Sequence, residues 1–422
     1  MTRGGSGRWV AVAVVVLAGL AGCSSGTAGT PTPAAYQPLS AASVTAIPMT
    51  MPEGSLAVSP DGTTALVRGG DDWCLEPVTG ATSGPVTPTD SAGASPSAAT
   101  PTADRTGSPD ISPGDCLALP EDARVATAAF SPDGAQVVLA EDFAVTLKGR
   151  MWLVGTADRS VREVSPTATA GSGSATGTAS TTQATASSTR RLGNGSTYYL
   201  PSWDRETGGL FALEFGMGTG ANDAVVEVDR QAATAAVVAT LPERASGQLV
   251  AGGGTVVAGT MKGGSGLGDL VVIAESDRTT RQVDPSAAMS DRATTILLAA
   301  VSPDGKRVVA LGNDQRRFEA LPPVVVDLDG GTPTTLSGFD GMASWAAAYS
   351  PDGALLAVLT TSTSPRQSTV QLVEGSNVRP LTDVDDTLAA NVTLEWSRSD
   401  ILAPRSSRGP LRGTAAAWQL SD

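Results

Sequence analysis

The phrase Ser-Pro-Asp-Gly occurs four times, at Ser59–Gly62, Ser131–Gly134, Ser302–Gly305 and Ser350–Gly353. Its chemistry is that of a tight turn. Pro at the second position pre-sets φ, Asp suits the third, and Gly supplies the left-handed residue that closes a hairpin. Short apolar runs flank each copy: Thr127–Phe130 and Gln136–Ala140, Leu297–Val301 and Arg307–Leu311, Ala346–Tyr349 and Leu355–Leu359. The first copy lies between Leu56–Val58 and Leu66-Val67. The phrase therefore reads as the turn between two antiparallel strands, used repeatedly.

Degraded copies fill the gaps. Tyr198–Asp204 followed by Gly208–Leu213, Gln248–Val250 followed by Gly252–Ala258, and Val392–Leu402 all have the strand–turn–strand shape. The turn positions are then 59, 131, 203, 252, 302, 350 and 397, with later steps of 49, 50, 48 and 47 residues. The first two steps are 72 residues each, and each contains a stretch of Ser, Thr, Ala, Pro and Gly at about 79–113 and 166–190. Such stretches cannot build a packed core and read as disordered inserts. Without them the period is near 48, which fits a four-stranded blade. The expected fold is all-β: one seven-bladed β-propeller of four-stranded antiparallel blades over residues 42–422.

The last blade has too little chain for its fourth strand, while Ala42–Met49 precedes the first blade with a spare apolar run, Val44–Ile47. The N-terminal strand is expected to complete the last blade and close the ring, removing open sheet edges.

At the N-terminus, Arg3 and Arg8 precede an apolar run from Trp9 to Leu20, too short to span a bilayer as a stable helix. It ends in Leu20-Ala21-Gly22-Cys23, which resembles the bacterial lipobox. The resemblance implies cleavage before Cys23, acyl chains on Cys23, and a membrane anchor on the extracytoplasmic face. Residues 1–22 are then a signal peptide, and 23–41 a lipidated Cys with a flexible tether. Export allows Cys74 and Cys116, which flank the first insert, to pair; the alternative is two separate thiols. The inserts suit O-glycosylation or unmodified flexible loops.

The pattern of apolar strand, Ser-Pro-Asp-Gly and apolar strand resembles the TolB-like, WD40-like propeller repeat of bacterial envelope proteins, over about residues 42–422. Lipobox plus propeller is also similar to actinobacterial lipoproteins that sit beside signalling proteins. Those carry a further domain before the propeller that has no counterpart here, so their role is not carried over. The fold hosts scaffolds, hydrolase companions and lyases alike, so the resemblance implies no single function.

Composition narrows the chemistry. A formal net charge of −14 argues against a nucleic-acid partner, which needs a basic face. With no His, a Ser-His-Asp triad and His-ligated metals are excluded. Gly263–Gly268 has glycines of a phosphate loop but no sign of a strand leading into a helix. The acidic clusters Asp327/Asp329 and Asp383/Asp385/Asp386 suit either carboxylate catalysis or Ca²⁺ binding, or else are solvated turn residues. No catalytic residue, cofactor or metal is assigned.

The resemblance to propellers implies that the loops entering the inner strands lie on one face, around the mouth of the channel. Three carry an acid–Arg pattern: Glu121–Arg124, Glu243-Arg244 and Asp291-Arg292. Arg191, Tyr198, Tyr199, Phe339, Asp340 and Trp345 lie nearby. With Arg124, Arg244 and Arg292 these form a candidate binding face, since Arg and aromatics anchor interfaces; the alternative is packing between blades. The expected function is a lipid-anchored, monomeric, non-catalytic module that binds an envelope protein or peptide. The alternative is a propeller that binds a small molecule or glycan, with hydrolytic carboxylates at its mouth.

Overall fold

The computed structural model describes residues 39–40, 42–49, 51–78, 116–141, 149–166, 198–216, 222–262, 266–285, 295–314, 319–363, 366–384, 392–406 and 417–422. The segments at 1–38, 79–115 and 167–197, with both inserts and Cys23, lie outside them. The described residues form strands and turns and no helix.

Seven sheets follow one another around a ring, each running outward in sequence order from its innermost strand. The innermost strands are Ser55–Val58, Val125–Phe130, Tyr198–Trp203, Ala245–Gly252, Thr295–Val301, Met342–Tyr349 and Val392–Trp396. We number the blades 1 to 7 in that order. In blade 1 the fourth position is a single bridge, where Cys116 lies beside Cys74 of Asp72–Pro77. Cys74 and Cys116 are joined by a disulfide, which ties the base of the first insert.

Blade 7 is completed as the sequence implied. Thr45–Met49 pairs antiparallel with Ala417–Ser421, from Thr45 opposite Ser421 to Met49 opposite Ala417. Asp422 adds a clasp: its carboxylate accepts from Ser40 N at 2.8 Å and Ser43 Oγ at 3.1 Å.

The core is not one mass. It is seven apolar clusters, each built from two neighbouring blades. Val137 and Leu139 pack toward blade 1 with Leu56 and Leu66, while Val138 and Ala140 pack toward blade 3 with Tyr198 and Leu210. Alternate residues of one strand thus serve opposite neighbours. Both faces are covered, so inner strands read as continuous apolar runs rather than an alternation. The ring also closes through its core, since Met49 and Met51 pack with Val58 and Val67 of blade 1 and Ile401 of blade 7.

The four Ser-Pro-Asp-Gly turns are superimposable in their bonding. Gly N donates to Ser O at 2.8–2.9 Å, and Gly62, Gly134, Gly305 and Gly353 have φ between +68° and +72°. The Ser has a role that the turn rules alone do not supply. It is at most 5% exposed, its hydroxyl donates to the Asp carboxylate two residues on, and it accepts the amide five residues on. At Asp61, burial pushes the carboxyl up, but the Ser59 hydroxyl and the Thr63 amide and hydroxyl outweigh it and hold the pKa below the ordinary value.

Degraded turns reach the same shape by other means. In blade 3 Asp204 stands where Ser would, accepting from Glu206 N at 2.7 Å and Thr207 N at 3.0 Å. In blade 4 the turn is Gly252–Gly254. A Cβ on Gly253 would lie 2.2 Å from Gly305 N and 2.5 Å from Pro303 O, so the blade 5 turn leaves room only for glycine there. In blade 7 Ser397 Oγ accepts from Ser399 N and Ile401 N.

Candidate functional site

Every inner strand runs from a rim loop to a turn, so the rim loops gather at one end of the channel and the turns at the other. Between them is a cavity of about 650 Å³, lined by inner-strand residues of blades 2 to 7. Blade 1 contributes nothing to it. Its inner strand has four residues, against five to eight elsewhere, and all four are buried. Ile401–Ser406 of blade 7 instead contacts Val125–Phe130 of blade 2, across the position blade 1 has vacated.

The channel wall is mixed: Leu200, Leu249, Leu297 and Leu394 alternate with polar groups such as Ser202, Gln248 and Thr393. Trp345 is half-buried in it, with Nε1 donating to Thr361 Oγ1 at 3.0 Å. Its charged groups are Glu141, Glu206 and Glu395 with Arg205, Arg398 and Arg405. Glu206, from the blade 3 turn, pairs with Arg398 of the blade 7 turn. These blades are not neighbours in the ring, so the pair bridges the turn end of the channel. Glu395 pairs with Arg405 at 3.1 Å.

Glu141 has a side chain that is 0% exposed. Arg150 Nη2 donates to it at 2.7 Å and Nε at 3.1 Å, and the Arg150 amide adds 3.0 Å. Donation to the Glu141 carboxylate holds the Arg150 pKa above its ordinary value, against a smaller opposing effect of burial. Arg150 also reaches Asp122 at 3.0 Å and lies over the Trp152 ring at 5.2 Å.

Arg205 stands apart. It points into the channel, where burial pulls its pKa down and the fields of Glu395 and Glu206 oppose that. Among the described residues it makes no ion pair or hydrogen bond.

At the rim, one candidate cluster is assembled. Arg244 Nη1 donates to Asp223 Oδ1 at 3.2 Å and to Gly216 O at 3.1 Å, and its guanidinium lies 4.7 Å from the Phe215 centroid. Phe215 meets Tyr199 edge-on at 6.1 Å. The Asp223 side chain is 0% exposed and also accepts from Ala245 N at 2.8 Å, while the Arg244 side chain is 43% exposed. Burial, then the Asp223 charge, pushes the Tyr199 hydroxyl well above its ordinary pKa.

The other rim residues are scattered. Arg124 and Asp340 are exposed. The Arg124 guanidinium donates to the carbonyls of Ala123 and Glu121. Its neighbour Asp122 turns to Arg150, so the acid–Arg spacing at Glu121–Arg124 makes no pair between its own members. Tyr198 and Phe339, 2% and 1% exposed, are core residues between blades and cannot touch a partner. Their rings are the large apolar side chains that inter-blade packing demands. Arg191, Arg292, Asp385 and Asp386 lie outside the described residues.

The described members of the acidic clusters, Asp327, Asp329 and Asp383, are turn and strand residues. Asp327 Oδ1 accepts the Asp329 amide at 2.8 Å, and Asp329 pairs with Arg281 of blade 4 at 3.1 Å. Asp383 accepts from Thr369 Oγ1 at 3.2 Å. Gly266 begins the strand Gly266–Ala274, not a helix. Glu141, Asp223, Arg205 and Phe215 carried no repeat or motif. Only their clustering at the ends of inner and second strands, visible once strands are assigned, marks them.

No protein-family model matches the chain, and no curated protein sequence does. Solved structures similar to it are propellers. The putative TolB of Agrobacterium tumefaciens is 14% identical, covering 70% of this chain and 90% of that one, with a TM-score of 0.41. TolB of Acinetobacter baumannii is 13% identical, covering 71% and 64%, with a TM-score of 0.39. The β-propeller domain of Myceliophteria thermophila Cps50 (Swd1) is 10% identical, covering 71% and 97%, with a TM-score of 0.37. At such identities and scores the likeness carries nothing about partner or activity; the strand order and the seven inter-blade cores establish the fold by themselves.

Proposed function

We propose that this chain is a non-catalytic binding module, held by acyl chains on Cys23 to the extracytoplasmic face of the cell membrane, which takes an envelope protein or peptide on its rim. The observation that carries this reading is the Arg244–Phe215–Tyr199 stack. A half-exposed guanidinium on an aromatic ring, fixed from behind by a buried carboxylate, is a rigid anchor of the kind that dominates interfaces. Arg124 and Asp340 extend the rim with exposed charge. Against hydrolysis stands the state of the channel carboxylates. Glu141, Glu206 and Glu395 are each tied to a guanidinium, so none of the three is held free toward a substrate as a general acid or a nucleophile would be.

Site-specific photocrosslinking in the native membrane tests the interaction. A photoreactive residue in place of Asp340 or Arg124 is expected to trap a partner, and Arg244→Ala to weaken the trapping. The same residue in place of Val237, exposed on an outer strand, is expected to trap none. Equal trapping from Val237, or none from the rim alongside specific glycan binding, would overturn the reading. The anchor is tested separately: radiolabelled palmitate should enter the chain and be lost in Cys23→Ser.

A further inference from the structure

We propose that the central channel binds an organic carboxylate with an apolar body, its carboxylate paired with Arg205. Once the ion pairs are drawn, one channel cation is left over. Glu206 is taken by Arg398, Glu395 by Arg405 and Glu141 by Arg150, which leaves the Arg205 guanidinium with no ion pair among the described residues. Arg405 keeps a buried Nε without a hydrogen bond, so the carboxylates on this wall do not exhaust its donors. A half-buried charge facing a cavity without a partner is costly, and the fold keeps it.

The shape and chemistry choose the ligand class. One guanidinium fork matches one carboxylate in bidentate geometry. Leu200, Leu249, Leu297, Leu394 and Trp345 on the same wall suit an apolar body. The cavity, about 650 Å³, has the size of a small-molecule site. The Glu206–Arg398 pair straddles the turn end, so the ligand enters from the rim. A free organic acid and the C-terminus of a peptide share this chemistry.

The full chain in nanodiscs, with empty nanodiscs as blank, is titrated by calorimetry with 4-phenylbutyrate and with 4-phenylbutanol. The acid is expected to bind at least tenfold tighter than the alcohol. Arg205→Met should lose at least tenfold for the acid and nothing for the alcohol, with an unchanged circular dichroism spectrum. Its melting temperature should equal or exceed the parent's, because an unpaired, half-buried charge has been removed. Should that variant not fold, Arg205→Lys, which keeps the charge without the fork, is expected to bind the acid more weakly than the parent. A heptapeptide ending in a free Leu, compared with its amide, separates the sources: preference for the free acid identifies a peptide end, and binding of phenylbutyrate alone identifies a small acid. Equal binding of acid and alcohol, binding by neither probe class, or full acid affinity in Arg205→Met would overturn the proposal.

Discussion

Glu275 makes the stability of the ring depend on pH. It lies in the turn between the third and fourth strands of blade 4, against Asp204 of the blade 3 turn. Asp204 is 0% exposed and already accepts amides from Glu206, Thr207 and, across the blade boundary, Gly254 at 2.7 Å. Thr207 donates to Glu275 Oε2 at 2.8 Å, but Oε1 is buried and accepts nothing. Protonation turns Glu275 into a donor toward Asp204 and relieves a repulsion between carboxylates. Burial first, then the hydrogen bond with Asp204, raises the Glu275 pKa to about 7 from 4.5, while Thr207 and Arg278 pull it down.

The sign follows from proton counting. Between about 4.5 and 7 the folded chain holds a proton that the unfolded chain has lost, so stability falls as pH rises through that window. A 2.5-unit shift corresponds to about 3.4 kcal/mol at most. The carboxyl is only half-buried, and solvent screening reduces this to about 1–2 kcal/mol. Glu275→Gln presents the same donor at every pH. Its melting temperature should match the parent's near pH 4.5 and exceed it by about 2–3 °C at pH 8, given roughly 1.5–2 °C per kcal/mol for a domain of this size. Differential scanning calorimetry at half-unit pH steps measures this. A difference between the two proteins that stays flat from pH 4.5 to 8 would refute the shared-proton account.

Three further outcomes are expected. Gly253→Ala forces a Cβ to within 2.2 Å of the blade 5 turn at a residue with φ of +60°, and should cost about 3 kcal/mol or more in denaturant unfolding. Arg150→Met leaves the buried Glu141 without its cation and should cost about 3–5 kcal/mol, seen as a lower denaturant midpoint, while the double variant Arg150→Met, Glu141→Gln should recover part of the loss. The Cys74→Ser, Cys116→Ser double variant opens a loop spanning 42 residues, for which chain entropy gives about 4 kcal/mol; an unchanged melting point under oxidising conditions would refute the staple.

The ring was legible because its turns are chemically stereotyped. Pro and Gly constrain φ locally, so the hairpins, their period and the spare first strand all follow from neighbours in sequence. The inner Ser hydroxyl was less visible, since its second bond reaches an amide five residues away. The channel was not legible at all. Arg398 meets Glu206 across the channel from a distant blade, Arg205 is left without a partner, and nothing local to either residue records that. The rim was read partly through composition, which cannot tell an aromatic that faces out, such as Phe215, from one that fills a gap between blades, such as Tyr198 or Phe339. The acid–Arg spacings misdirected in one respect: Arg244 bonds Asp223, not Glu243, because strand pairing brings distant carboxylates closer than sequence neighbours.

Thr45 and Ser421, joined in the closing strand pair, are 376 residues apart in the chain. At about 5–20 residues per second, the first strand waits some 20–75 seconds after synthesis for the strand it will pair with. Throughout that interval both ends of the nascent sheet array are open edges, able to pair with another chain. A premature stop anywhere before Ala417 leaves them open permanently, however many blades have formed. Strand Ala417–Ser421 therefore acts as a check on the whole ring: only a chain that has reached it can hide its own first strand.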